Sequence, residues 1–207
     1  MKSLFQLIWH RTSTQVRIVW EHARETQAAQ IVELAVTLPV LMILFVGIYD
    51  FGQAFDLKQK LAGAAREGAR FAANQSTSDL SNASPPSLLA VRDVVDSYLT
   101  ANNVNDLGLA TATPGGPTNW TWTFTGTGAT CIDSGGNTKR FTMTVNRGLS
   151  YNVTSGGNTV TVEATQVTLS YPYQWQFNRV ITLVVGSASY PATSCIVTSA
   201  AMQNLNN

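Results

Sequence analysis

The sequence has few charged side chains. Asp, Glu, Lys and Arg make up 12 % of the 207 residues, which is about half of their usual share in soluble globular proteins. The net charge is +1, so there is no basic excess to bind nucleic-acid phosphates and no acidic excess to bind cations. We therefore expect no nucleic acid among the partners. Abundant Ser, Thr, Asn and Gly indicate instead an exported protein.

Histidine is also scarce. His10 and His22 are the two histidines, and both lie in the N-terminal segment, so the remainder of the chain has no imidazole for acid–base or metal chemistry. The acidic residues of that remainder are scattered, and only Asp93 and Asp96 share a helical neighbourhood, which is typical of a solvated helix face. We therefore expect no catalytic centre, no cofactor and no metal site.

Cysteine occurs twice, as Cys131 and Cys195. Neither belongs to a Cys-x-x-Cys pair, which argues against zinc. In an oxidising compartment two lone cysteines of a small domain usually pair, and closing a loop of this length contributes roughly 4 kcal/mol in the chain-entropy estimate. The sequence predicts a disulfide between them, and the alternative is two buried thiols that pack as small apolar groups.

One long apolar run stands out against this polar background. Residues 28–48 read AAQIVELAVTLPVLMILFVGI, and no charged residue lies between Leu34 and Ile48. About 20 residues span the ~30 Å of a bilayer core as a helix, so a transmembrane helix is predicted at about residues 29–49. Residues 1–28 lack the apolar core of a secretory signal peptide and are predicted to be a leader or cytoplasmic segment.

Helix-favouring residues continue to Ala73, so one helix is predicted over residues 29–73. Small residues in its outer half, including Gly63 and Gly68, allow another backbone to approach closely. This outer half could pack against the chain's own C-terminal domain or against other subunits, and the sequence leaves both possibilities open. Basic residues flank the apolar run on both sides, so the orientation rests on the polar C-terminal region, which belongs outside the cytoplasm.

Residues 74–207 are predicted to form this exported, β-rich domain. After a polar linker, helical spacing predicts a short helix at 86–100, and alternation predicts strands at 120–125, 141–145, 158–171 and 180–185. A bulge near Thr165 and Gln166 would bring the two apolar phases of the third strand onto one face. The predicted class is therefore α+β. Trp120, Trp122 and Trp175 could form a sugar-binding platform, but the alternation of the first two favours a place in the sheet core.

Glu33 is the one acid inside the apolar run. An unpaired carboxylate costs on the order of 3 kcal/mol near the bilayer centre, and no Lys or Arg lies one helical turn away in either direction. Its partner could therefore come from another chain, for which a free α-amino group at the same depth would be well suited.

The motifs around Glu33 occur together in one order. They are Val32-Glu33-Leu34-Ala35, Leu38-Pro39, Gly47-Ile48-Tyr49-Asp50-Phe51-Gly52 and Ala64-Ala65-Arg66-Glu67-Gly68-Ala69-Arg70. Over residues 30–73 the chain resembles the TadE-like family of pseudopilins from Tad (Flp) pilus systems. The resemblance implies a pilin-like fold and a non-catalytic minor pilin that primes, joins or caps a pilus.

The same resemblance implies processing and partners. A prepilin peptidase would cut between Ala28 and Ala29, so that Glu33 becomes the fifth residue of the mature chain and pairs with the amine of a neighbour's Ala29. The residue before the cut is normally glycine, and Ala28 departs from that pattern. Pro39 would kink or locally melt the helix, or is incidental. The implied partners are other pilin subunits, the prepilin peptidase, the inner-membrane assembly platform and membrane lipid.

The implied location is the bacterial inner membrane, with a single pass and a periplasmic C-terminal domain, and afterwards a cell-surface pilus. A different class of function remains open from the residues alone. In that alternative the chain is a permanently anchored, single-pass periplasmic binding module whose sheet or tryptophans recognise a ligand.

Overall fold

The computed structural model describes residues 2–177 and 193–204 of the chain, and residues 2–28 and 155 through their backbone conformation. In these ranges a long helix is followed by a short helix, one 3-10 turn and five strands. This order confirms the predicted α+β class, with a long apolar N-terminal helix before an antiparallel sheet. The strand predicted at 180–185 lies outside the described residues.

Helix α1 comprises Lys2–Ala73. Its end coincides with the predicted end, but its beginning lies well before residue 29, because the N-terminal segment is helical as well. Pro39 lies in its interior and cannot donate a hydrogen bond to the carbonyl of Ala35. The backbone is helical on both sides of Pro39, so the helix does not melt at this position.

Helix α2 comprises Pro86–Ala101 and agrees with the helix predicted at 86–100. Proline at the first helical position suits the start, since it lacks a backbone donor that would have no partner there. The Asp79 carboxylate in the preceding loop accepts the Ser87 N–H at 2.7 Å and the Ser87 hydroxyl at 2.9 Å. These bonds satisfy a donor of the first turn and tie the loop to the helix.

Close approach of α1 and α2 depends on two glycines of α1. A Cβ on Gly68 would lie 2.6 Å from Cγ2 of Val95, and a Cβ on Gly63 would overlap the hydroxyl of Tyr98. The small residues of the outer half of α1 are thus used by the chain's own second helix. Of the two possibilities that the sequence left open, the structure shows intramolecular packing for this half.

The five strands form one sheet in the order β1-β2-β3-β4-β5, with antiparallel neighbours. Their bounds are Pro114–Thr118, Thr121–Ile132, Thr138–Ser155, Asn158–Gln174 and Thr193–Gln203. In addition β2 and β5 meet in a parallel pairing at Ile132 and Ser194. Because two strands separate β2 from β5 in the sheet, this pairing requires the sheet to curl until its strands close at one end.

The prediction of a bulge in β4 is wrong. The bulge lies in β3, and the two apolar phases of β4 do not share one face. The register shifts between Asn146 and Leu149 of β3, so that two β3 residues stand opposite Thr165 of a regular β4. Strict alternation in β4 then sends its two apolar phases to opposite faces of the sheet. Val167 is buried on the core face, whereas Val160 is exposed on the other.

The core lies between the two helices and the sheet. Its members share near-complete burial and come from α1, α2 and strands β2 to β4; the larger ones are Leu61, Leu88, Val91, Val95, Leu99, Trp122, Phe124, Phe141, Met143, Val145, Val167 and Leu169. Trp122 confirms the interpretation of the alternating segment as a core strand. Trp120 does not, because it precedes β2 with a φ of 57° and is 58 % exposed.

Candidate assembly surface on the long helix

We call residues 74–177 and 193–204 the head, and the stretch of α1 from Ile31 to Tyr49, before α1 meets the head, is apolar and exposed. A segment within Ala29–Ala73 is long and apolar enough to cross a membrane, and none of that segment is buried within the chain. Its large exposed side chains are Ile31, Val32, Leu34, Val36, Leu38, Val40, Leu41, Met42, Leu44, Phe45, Ile48 and Tyr49. Exposed apolar surface on this scale requires lipid or another protein as its environment.

The sequence-predicted assembly residues follow one another on this segment. Ala28 and Ala29 lie within continuous helix, and Glu33 lies one turn beyond Ala29, about 6 Å along the axis. Glu33 is exposed, and no side chain that the structure describes forms a salt bridge with it. The chain thus presents a carboxylate on an apolar surface, and its pairing with a neighbouring amine stays a prediction.

The exposed segment ends at Asp50, the first buried residue of α1 among those whose side chains the structure describes. Asp50 is 1 % exposed. The hydroxyl of Tyr173 donates to its carboxylate at 2.6 Å, and the N–H of Phe177 donates to the second carboxylate oxygen at 2.9 Å. Burial, reinforced by this bond to Asp50, raises the pKa of Tyr173 far above its usual value. The phenol therefore remains a donor throughout the physiological range.

Aromatic rings extend the contact around Asp50. The ring centroid of Trp175 lies 5.4 Å from that of Phe51 in a tilted arrangement and 4.9 Å from that of Tyr173 in an edge-to-face arrangement, and both distances favour aromatic contact. The Trp175 N–H also donates to the Ser194 hydroxyl at 2.8 Å. We call Asp50, Phe51, Tyr173, Trp175 and Phe177 the membrane-side joint. Asp50 belongs to one of the sequence motifs but no role was predicted for it, although an acid directly after an uncharged run was the available signal.

Arg147 holds the opposite end of the contact. It is 5 % exposed and donates to the carbonyl of Ala72 at 2.7 Å and to that of Gln75 at 2.9 Å. This buried cation adds a second donor to the Ala72 carbonyl, which also accepts the Gln75 N–H at 3.1 Å, and it interacts favourably with the negative end of the helix dipole. Burial lowers the pKa of Arg147, and the nearby charge of Asp79 partly offsets this. No local sequence pattern indicates this contact, because Arg147 and Ala72 are far apart in the chain.

The two cysteines lie together near the membrane-side joint. Cys131 of β2 and Cys195 of β5 form a disulfide where these two strands meet. Cys195 also lines, with Phe51 and Trp175, a groove of about 310 Å³ between α1 and β5. Among the residues that the structure describes, no three His, Cys, Asp or Glu side chains lie close enough to hold a metal ion.

Comparison with known protein families gives a match that lies entirely within α1. A family model described as TadE-like protein matches residues 28–70, about a fifth of the chain. No curated protein and no solved structure matches the chain. The matched range contains Ala28, Ala29, Glu33, Pro39 and Asp50, and it ends within the part of α1 that packs in the head. This match confirms the resemblance inferred from the motifs: residues 28–70 of the long helix are similar to TadE-like proteins.

Proposed function

We propose that the chain is a structural, non-catalytic subunit of a Tad pilus, of the minor pilin or pseudopilin kind. In this proposal the exposed half of α1 resides in the inner membrane, with the head in the periplasm, and later packs against α1 of neighbouring subunits. The observation that carries the proposal is the coincidence of the TadE-like match with an exposed apolar helix that contains one acid, Glu33.

Cleavage between Ala28 and Ala29 would create the amine that Glu33 needs. In the membrane an isolated carboxylate costs about 3 kcal/mol at the bilayer centre and less towards its edge. Pairing with the Ala29 amine of an adjacent subunit removes this cost and fixes the axial register of the two helices, because the two groups lie one helical turn apart on α1. The prepilin peptidase and the inner-membrane assembly platform are the further partners proposed.

N-terminal sequencing of the protein from membranes and from sheared surface filaments tests the proposal. We expect Ala29 at the N-terminus of the filament protein, and we expect an Ala28→Gly variant to be processed at least as completely. An intact Met1 in membranes together with no protein in filaments would contradict the pilus proposal. That result would favour the permanently anchored binding module.

A matched pair of variants tests the pairing of Glu33. Glu33→Ala should abolish incorporation into filaments and leave the head folded, since Glu33 lies outside the head. Glu67→Ala is the control: Glu67 is on the same helix but forms an exposed ion pair with Arg70, and its loss should leave assembly intact. Equal incorporation of both variants would show that Glu33 has no special part in assembly.

A further inference from the structure

A cavity of about 390 Å³ lies in the head beside the C-terminal end of α1. It is bounded by the loop after α1, by the β3 bulge and by the first residues beyond it; the lining residues are Thr77, Leu80, Trp120, Arg147, Gly148, Ser150, Glu163 and Asn204. Its volume falls within the range of small-molecule sites, about 300–1,000 Å³. About 20 helical residues separate it from Asp50, which corresponds to roughly 30 Å along α1.

Trp120 is held at the rim of this cavity by an unusual backbone. Asn119 and Trp120 both have left-handed φ values, 51° and 57°, a conformation that non-glycine residues adopt rarely and at a cost. The Arg147 N–H donates to the Trp120 carbonyl at 2.9 Å. Gly148 provides the space, because a Cβ there would lie 2.8 Å from Cβ of Trp120. Local strain, a hydrogen bond and a glycine thus combine to keep a large indole exposed.

The polar groups of the cavity favour a neutral ligand. Nη1 and Nη2 of Arg147 donate to the carbonyls of Ala72 and Gln75, and its buried Nε–H has no partner among the described residues. Ser150 and Glu163 stand opposite each other across β3 and β4 and present a hydroxyl and a carboxylate. The carboxylate disfavours an anionic ligand, whereas hydroxyl groups of a ligand can donate to it.

We propose that this cavity binds a saccharide. The apolar face of a sugar ring would stack on the indole of Trp120, and its hydroxyls would hydrogen-bond to Glu163, Ser150 and Asn204. The Asn204 side chain is held in one orientation, because its oxygen accepts the Thr165 hydroxyl at 2.7 Å. The site is independent of the assembly surface, so it adds recognition to the proposed pilus subunit.

The test uses the full chain in phosphatidylcholine nanodiscs, because detergents with sugar headgroups would compete. Glucose, galactose, mannose, N-acetylglucosamine, lactose and maltose are titrated by saturation-transfer NMR and calorimetry, and immobilised oligosaccharides are probed in parallel. We expect saturable binding in at least one arm. Binding of free sugars indicates a soluble ligand, and binding of immobilised chains alone indicates a surface glycan; both support the proposal.

Variants assign the binding to the cavity. Trp120→Ala should weaken it at least tenfold, Trp120→Phe by less, and Glu163→Gln severalfold. Tyr151→Ala is the matched control, because Tyr151 is an exposed aromatic residue next to Ser150 that points to the other face of the sheet. Absence of binding by the wild-type chain in both arms, or equal binding by Trp120→Ala and the control, overturns the proposal. If Trp120→Ala does not fold, unchanged binding by Glu163→Gln overturns it instead.

Discussion

Replacing Asp50 with alanine should loosen the head from the long helix. Asp50 accepts two hydrogen bonds at the membrane-side joint, one from the Tyr173 hydroxyl at 2.6 Å and one from the Phe177 N–H at 2.9 Å. Both donors belong to the end of β4 and the residues after it. Removal of the carboxylate leaves the Phe177 N–H without its partner, leaves the Tyr173 hydroxyl only the longer contact with the Asp50 carbonyl at 3.1 Å, and opens space in a site where Asp50 itself is 1 % exposed.

The expected loss follows from the number and kind of these bonds. A hydrogen bond to a charged group contributes about 1.5–3 kcal/mol. Tyr173 and Phe177 are only half-buried, so water can replace part of the loss, and two bonds at the lower value give a destabilisation of about 3 kcal/mol. For a domain of this size that lowers the melting temperature by roughly 10 °C. Asp50→Asn keeps one acceptor and should lose about half as much.

Thermal unfolding of the full chain in nanodiscs, followed by near-ultraviolet circular dichroism, measures the loss. Hydrogen exchange of the Phe177 amide reports on the joint itself and should accelerate about 100-fold for a loss of ~3 kcal/mol. Asp56→Ala is the control, because Asp56 lies on the same helix in an exposed pair with Lys60 and should cost at most about 1 kcal/mol. Equal melting temperatures for the Asp50 and Asp56 variants, together with equal hydrogen-exchange protection of the Phe177 amide, would refute this prediction.

Three further results are expected. Arg147→Ala should destabilise the head by about 3–5 kcal/mol, because buried carbonyls at the end of α1 lose a charged donor, while Arg140→Ala, exposed in the same strand, should change the melting temperature little. The free energy of unfolding should fall as the pH rises above about 10. The cause is the raised pKa of Tyr173 in the folded state, which means that folding favours the neutral phenol. In urea unfolding, Tyr173→Phe should therefore show a shallower alkaline decline of this free energy. Reduction of the Cys131–Cys195 bond, which spans 64 residues, should cost about 4 kcal/mol and lower the urea midpoint, and a midpoint unchanged by reductant would contradict this.

Local sequence patterns were enough to predict α2, the end of α1 and the positions of strands β2 to β4, whereas β1 and β5 were not predicted. Ala73 and Pro86 marked the end of α1 and the start of α2 because helix propensity and proline geometry act within a few residues. The Ser155–Asn158 turn lies between β3 and β4 because Gly156 and Gly157 adopt left-handed φ values there. The face to which each residue of β4 points was harder to predict, since the bulge that sets the register belongs to β3.

The functional residues also differ in whether the sequence alone could predict them. Glu33 was evident because a charge within an apolar run has a cost that requires an explanation. Asp50 and Arg147 were not, because their importance comes from partners that lie 123 and 75 residues away in the chain. Trp120 was misplaced because alternation with Trp122 assumed extended backbone, whereas Trp120 has a left-handed φ and lies outside the strand.

The continuous path of α1 from the apolar segment into the core determines how the protein carries mechanical load. No linker interrupts the helix before Ala73, so tension applied to the apolar segment reaches the head directly. The head contacts α1 from Asp50 to the carbonyl of Ala72, which means that a pull along the axis loads the whole contact in shear. Many contacts must then yield at once, and the head resists extraction far better than a domain attached through one flexible strand.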